Sequence, residues 1–311
     1  MTQATAAYPV ELQEQVEAYL RTVSFGREPG TERLSEAMRY SLLAGGKRVR
    51  PVLALATAEA LGHETGSVLG FAAAIEMIHT YSLVHDDLPA MDDDDMRRGQ
   101  PTCHVAYGED VAILAGDGLF AEAFALALAG SGGERSVVRS AIGRAPNEAF
   151  TPAGTVAAAR ELAAAVGVQG MVGGQFIDVT TGGEPGEAGL RRLHELKTGR
   201  LIAASVKCVV LLCGASGPAT IGLGRFAEEL GVVFQIVDDI LDVTGDDAQL
   251  GKSSGSDVRH GKRTYVSVHG LDRARELACE SHAEAKAALA EADGPTERLG
   301  QIADYILTRE K

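Results

Sequence analysis

The chain has 311 residues, of which 45% are hydrophobic and 23% charged, enough apolar material for a sizeable core and too much for general disorder. A net charge of −14 argues against a protein that reads nucleic-acid phosphates with a basic face, and 5% aromatics with no tryptophan argues against base-stacking platforms. The four cysteines form no Cys-x-x-Cys pair, residues 1–10 lack a signal-peptide pattern, and no charge-free apolar run reaches about 18 residues. The expectations are reduced thiols, no membrane span, no nucleic-acid partner and a cytoplasmic location.

In chain order, Glu11 to Val23 reads as an amphipathic helix, and Thr31 or Ser35 opens a second that stops at Gly45-Gly46. Lys47, Arg48 and Arg50 follow the glycine pair, and Pro51 fits the first turn of a helix over Val52 to Leu61. Cations at a helix start resemble an anion site, although such clusters are also common on solvated surfaces. Val68 to Asp87 reads as a long apolar helix that places His79, Leu83 and Asp86 on one face. His79 is then either a core residue or a neighbour of whatever Asp86 faces.

The stretch from Asp86 to Asp95 holds six aspartates, followed by Arg97-Arg98-Gly99. Pro89 disfavours helix at Leu88, so the helix should end there and the chain should turn, bringing Asp92 back beside Asp86. Crowded carboxylates need a compensating charge. Oxygen-only ligands suit a hard divalent cation such as Mg²⁺, and arginines suit phosphate oxygens.

Val111 to Ala129 reads as the next helix. Residues 131–155 read as a loop, with a short helix near Val137 to Ile142, and Val156 to Val168 as an Ala-rich helix. Gly173-Gly174-Gln175 and Asp178 follow, then a loop over Thr181 to Gly186. Leu190 to Cys213 reads as helix through Lys197-Thr198. Gly222 to Val243 ends in Phe234-Gln235-x-x-Asp238-Asp239-x-x-Asp242, with Asp238 and Asp242 at i, i+4. Two apolar helices thus end in Asp-Asp pairs, and cations held between opposed helix ends would explain both. The loop Gly251 to Asp257 carries Lys252, and Gly261 to Tyr265 carries Lys262; these lysines read as a lid. Leu271 to Leu307 reads as peripheral helices. With no convincing strand, the fold class is all-α, a single large domain over residues 1–311 with antiparallel helices around a central cavity.

These motifs in combination resemble the short-chain trans-prenyl diphosphate synthases of the farnesyl type. The resemblance runs from about Gly45 to Tyr265. It implies that Asp86, Asp87, Asp92, Asp238, Asp239 and Asp242 bind three Mg²⁺ that bridge an allylic diphosphate. It assigns Arg97, Lys197, Lys252 and Lys262 to that diphosphate, with Thr198 and Gln235 nearby, and Lys47, Arg50, His79 and Arg98 to isopentenyl diphosphate. It further implies a homodimer, for which Leu119 to Leu128 is the candidate surface. The cations neutralise the diphosphate leaving group, an allylic carbocation forms in an apolar cavity, and isopentenyl diphosphate attacks it.

Product length follows from the helix before Asp86. Tyr81 lies roughly 7.5 Å along the axis, at about 1.5 Å per residue, where a ring would form a floor beside the small Ser82. Tyr81 also fits ordinary core packing. With two extra residues in the first acidic motif, this pattern resembles bacterial farnesyl synthases; geranylgeranyl synthases tend to have a smaller or more flexible residue there. Rival readings are a class I terpene cyclase, disfavoured by the intact second Asp motif, and a silent partner subunit, disfavoured by both intact motifs. A structural Ca²⁺- or Mg²⁺-binding protein leaves the accompanying cations unexplained. Val266 stands where the resemblance leads to a proline.

Overall fold

The computed structural model describes residues 5–26, 28–129, 150–180, 186–245 and 263–309. The short helix expected near Val137 to Ile142, and Lys252 and Lys262, lie outside the described residues. The innermost helices are those whose sequence is apolar on every side. Helix α3 (Val49–Ala60) buries Val52 through Ala58, including Thr57, whose hydroxyl donates to the Leu53 carbonyl at 2.7 Å. Helix α4 (Leu69–Asp86) buries Phe71 through Ile78. A helix without a polar face has to be wrapped. Helices α1 (Val10–Thr22) and α2 (Glu32–Leu42), each with a buried stripe, pack onto this centre, as does α6 (Glu109–Ala127) beyond the short α5 (Cys103–Tyr107).

Two prolines open helices earlier than the periodicity suggests. Pro152 begins α7 (Pro152–Val166), capped by Thr151 Oγ1, which accepts from Gly154 N at 3.1 Å; Pro218 begins α11 (Pro218–Thr244). A first-turn proline lacks only an N–H that has no helical partner anyway. The apolar run 152–180 is not one continuous helix. It breaks over Gly167–Gly170 before α8 (Met171–Thr180), and both pieces fall short of the roughly 20 residues that cross a bilayer.

The helix expected from Leu190 to Cys213 runs unbroken from Glu187 to Leu212 as α9 (Glu187–His194), a π-helical turn over Glu195–Gly199, and α10 (Arg200–Leu212), with helical backbone at both junctions. The turn is pressed close to α8, where a Cβ on Gly174 would come within 2.4 Å of the Lys197 nitrogen. Such widened turns are frequent at functional sites. Helix α11 packs along α13 (Leu271–Ala290), and α12 (Tyr265–His269) starts with a capping box between Thr264 and Ser267. Val266 occupies the first turn of α12, a position open to proline and valine alike. Helix α14 (Glu297–Thr308) returns to the centre.

Among the described residues the one ladder is a two-residue hairpin pairing Met96 with Pro101 and Arg97 with Gln100. The fold is therefore all-α, as expected. On α6, Leu119 and Leu126 are fully buried within the chain's own core; its exposed apolar residues are Ile113, Leu114 and Phe120, with Leu128 just beyond. All four cysteines are free thiols.

Candidate active site

Helix α4 stops where proline geometry requires. The chain then folds back: Asp92 N donates to the Asp86 carbonyl at 2.9 Å, Met91 N to Leu88 O at 2.8 Å, and Asp94 N to Asp87 O at 3.2 Å. Asp92 thus sits against Asp86. Beyond it, Arg98 and Gly99 form the turn of the small hairpin, both with positive φ (53° and 76°), the signature of a type I′ turn. Asp93 and Arg48 also have positive φ, so the non-glycine backbone strain collects around this site.

The strained Arg98 turn aims its guanidinium at the first cationic motif. Arg98 Nη1 donates to the Gly45 carbonyl, and the guanidinium carbon lies 2.7 Å from where a Cβ on Gly46 would stand. Gly46, at φ +115°, is there for its backbone angle and for the room it leaves. The motif's cations part company from there. Arg48 turns inward with a fully buried side chain, donating to Glu76 at 2.6 Å, Glu17 at 2.7 Å and the Leu42 carbonyl at 2.8 Å. Arg50 reaches the cavity; burial pulls its pKa down to about 10, and its Nε has no hydrogen-bond partner. Lys47 is exposed, over the Tyr305 ring at 5.7 Å, and does not line the cavity with Arg50.

That cavity, of about 550 Å³, lies between α4, α8, the π turn and α11. It brings together Arg50, His79, Tyr81, Ser82, Asp86, Arg97, Arg98, Lys197, Thr198 and Asp238. Its apolar wall is Leu83, Met91, Met171, Val172, Phe176, Val179 and Phe234. His79 is held neutral: burial, then Arg50 and Arg98, push its pKa well below the usual value. Tyr81 is half-buried and lines the cavity, its ring edge-on to Phe120 at 5.1 Å and to His85 at 5.5 Å. Burial, with Asp86 and Asp117 adding, pushes its phenol up to about 12.

The acidic pairs split. Successive helical residues diverge by about 100°, so each Asp-Asp sends one carboxylate into the cavity and one away. Asp86 faces in and accepts from Gln175 Nε2 at 2.8 Å. Asp87, expected beside it, is buried outside the lining and gripped by Arg97, with Nε at 2.7 and 2.9 Å and Nη2 at 2.5 Å. Burial raises the Asp87 pKa, with Arg97 opposing. Asp238 faces in, half-exposed. Asp239 is buried and accepts from Gln235 Nε2 at 2.8 Å and Tyr265 N at 2.7 Å. Asp242 is buried as well.

Gln235, expected near the diphosphate, instead lines a small adjoining cavity with Asp178, His194 and Asp239. Lys197 borders both cavities, its Nζ 2.5 Å from Asp178 Oδ2. A further cavity of about 270 Å³ behind the π turn contains none of the acidic-motif residues.

Among the described residues, no three His, Cys, Asp or Glu side chains converge on one point. That suits a hard cation that takes one or two carboxylates and completes its shell with substrate oxygens and water. Asp86 and Asp238, carboxylates on two different helices opening into one cavity, are that donor set. Sequence reasoning missed Arg309, whose Nη2 donates to Asp238 Oδ1 at 2.7 Å; it belongs to no motif, and only the return of α14 brings it here.

The pattern of the polyprenyl synthetase family matches residues 31–302. The chain is 44% identical over 282 residues to the farnesyl diphosphate synthase of Escherichia coli (strain K12), covering 89% of each. It is 45% identical over 280 residues to the chloroplastic geranylgeranyl pyrophosphate synthase of Capsicum annuum, covering 89% of this chain and 72% of the relative. It also resembles the crystal structure of a geranyltransferase from Helicobacter pylori complexed with magnesium and isoprenyl diphosphate, with a TM-score of 0.78, 31% identity, and 96% and 94% of the two chains covered.

Proposed function

The chain belongs to the polyprenyl synthetase family and is a trans-prenyltransferase, and we propose that it extends allylic diphosphates with isopentenyl diphosphate and stops at the fifteen-carbon farnesyl product. The observation that carries the reading is the pairing of two inward carboxylates, Asp86 and Asp238, with Arg50, Arg97, Arg98 and Lys197 in a cavity whose other wall is apolar.

In this reading Asp86, Asp92 and Asp238 would hold Mg²⁺, three ions per site, and the metal would supply neutralising charge for the diphosphate leaving group. Arg97 and Lys197 bind the allylic diphosphate. They are positioned before reaction by Asp87 and Asp178, so little reorganisation is needed as charge develops. Arg50 and Arg98 hold the second diphosphate next to neutral His79. Met171, Val172, Phe176 and Val179 offer the cationic chain an apolar wall with no nucleophile of its own. The released diphosphate accepts the final proton, so no side-chain base is required.

Tyr81, backed by Phe120, is the floor that sets length; geranylgeranyl diphosphate is the alternative product. The exposed face of α6, with Ile113, Leu114 and Phe120, is the proposed homodimer surface. The test is a pair of product analyses. Tyr81→Ala should lengthen the product while the same two substrates are consumed. An unchanged product would remove Tyr81 from its role.

A further inference from the structure

Arg309 stands one residue beyond α14, at the C-terminal edge of the described chain. A charged side chain in such a place is ordinarily solvated and mobile. Here it is 10% exposed. Its guanidinium lies over the Phe234 ring at 4.3 Å, a cation–π contact, and Nη2 donates to Asp238 Oδ1 at 2.7 Å and to the Phe234 carbonyl at 3.4 Å. Phe234 sits one helical turn before Asp238, so the ring and the carboxylate together hold one guanidinium. Asp238 remains 53% exposed on its cavity side.

We infer that Arg309 is the resident counter-ion of Asp238, and that a divalent cation and Arg309 compete for this one carboxylate. The identity of the cation rests on the proposed function; the competition rests on the geometry. A cation placed on Asp238 stands within a few ångströms of the guanidinium, in a cavity already crowded by Arg50 on the same ring at 5.7 Å. Two positive groups on one carboxylate repel, by the modest amount expected where one of them is buried and the carboxylate is half-exposed. Loading the cation therefore loosens Arg309, and with it the end of α14. Removing Arg309 leaves a carboxylate with less to displace.

The test is calorimetric titration of Mg²⁺ at saturating inorganic diphosphate, corrected for Mg²⁺ binding to free diphosphate. It is run on the wild-type chain, Arg309→Gln, Asp238→Asn and the double variant, each checked for folding by its thermal melt. Arg309→Gln should bind Mg²⁺ roughly threefold tighter or more, the scale of a partly exposed ion pair. The gain should vanish in the Asp238→Asn background, where the Asp86 side still reports binding. Arg309→Lys, which keeps the charge, should stay near wild type. Hydrogen exchange over residues 303–309 should accelerate with Mg²⁺ plus diphosphate relative to diphosphate alone. An unchanged affinity in Arg309→Gln overturns the proposal, as does an equal gain in the Asp238→Asn background. Condensation measured in parallel on the wild-type chain separates the two readings: activity without the Arg309 effect sinks only this one, and the effect without activity sinks only the catalytic reading.

Discussion

Replacing Glu76 by alanine should cost more stability than any single change on the cavity wall. Arg48 is fully buried and Glu76 is 2% exposed, with 2.6 Å between them, and the guanidinium is the hub that holds the first cationic motif to α4. Removing one member of a buried pair strands the other, at about 3–5 kcal/mol. Glu17 stays within 2.7 Å of Arg48 Nε and neutralises part of the stranded charge, which places the expectation at the low end, about 3 kcal/mol. At about 2.1 cal/mol/K of unfolding entropy per residue, a chain of 311 residues loses roughly 1.5 °C per kcal/mol, so the melting temperature should fall by about 5 °C. Differential scanning calorimetry reads this directly. The double change Arg48→Met with Glu76→Leu should recover part of the loss, because it removes both fully buried charges and keeps the volume, while Glu17 retains some access to solvent. A fall below about 2 °C in the single variant, or a double variant worse than the single, would refute the reasoning.

Asp86→Asn should lower kcat by about a hundredfold or more with the fold intact, since it removes an inward carboxylate that positions charge at the leaving group; steady-state kinetics at saturating Mg²⁺ and a melt check both parts. Gly46→Ala should raise KM for isopentenyl diphosphate more than it lowers kcat, because the new Cβ meets the Arg98 guanidinium at 2.7 Å and φ is +115°. Stability of the metal-free chain should fall as pH drops below 6.5. Burial pulls the His194 pKa down to about 4, so between those values the unfolded chain takes a proton that the folded chain refuses. His79 acts in the same direction. Melting temperature against pH should therefore decline toward pH 5, and His194→Gln should flatten the decline; a flat wild-type profile would count against it.

What could be read from the sequence was local. Pro89 after Asp87 was enough to place the helix end and the return of Asp92 to Asp86, because proline restricts its own and its neighbour's backbone. The all-α class followed from apolar runs at helical spacing. Distant packing was not legible. The π turn at Lys197 depends on its close approach to Gly174 on another helix, and a periodicity argument cannot register an extra residue per turn. The inward course of Arg48 needs Glu17 and Glu76, which no motif joins to it. The divergence of Asp86 from Asp87 and of Asp238 from Asp239 was available from helical geometry alone. The family resemblance enlists both members of each pair all the same. Arg309 gave no signal at all, since its partner lies 71 residues away.

In the proposed function this cavity ionises an allylic diphosphate, extends it and stops the chain at Tyr81. The most direct measurement incubates the purified protein with Mg²⁺, dimethylallyl diphosphate and excess isopentenyl diphosphate, and reads product length by mass spectrometry. The expected result is condensation that ends at fifteen carbons. A product of twenty carbons or more would contradict Tyr81 as the floor, and no condensation by a folded, metal-binding chain would contradict the catalytic reading itself.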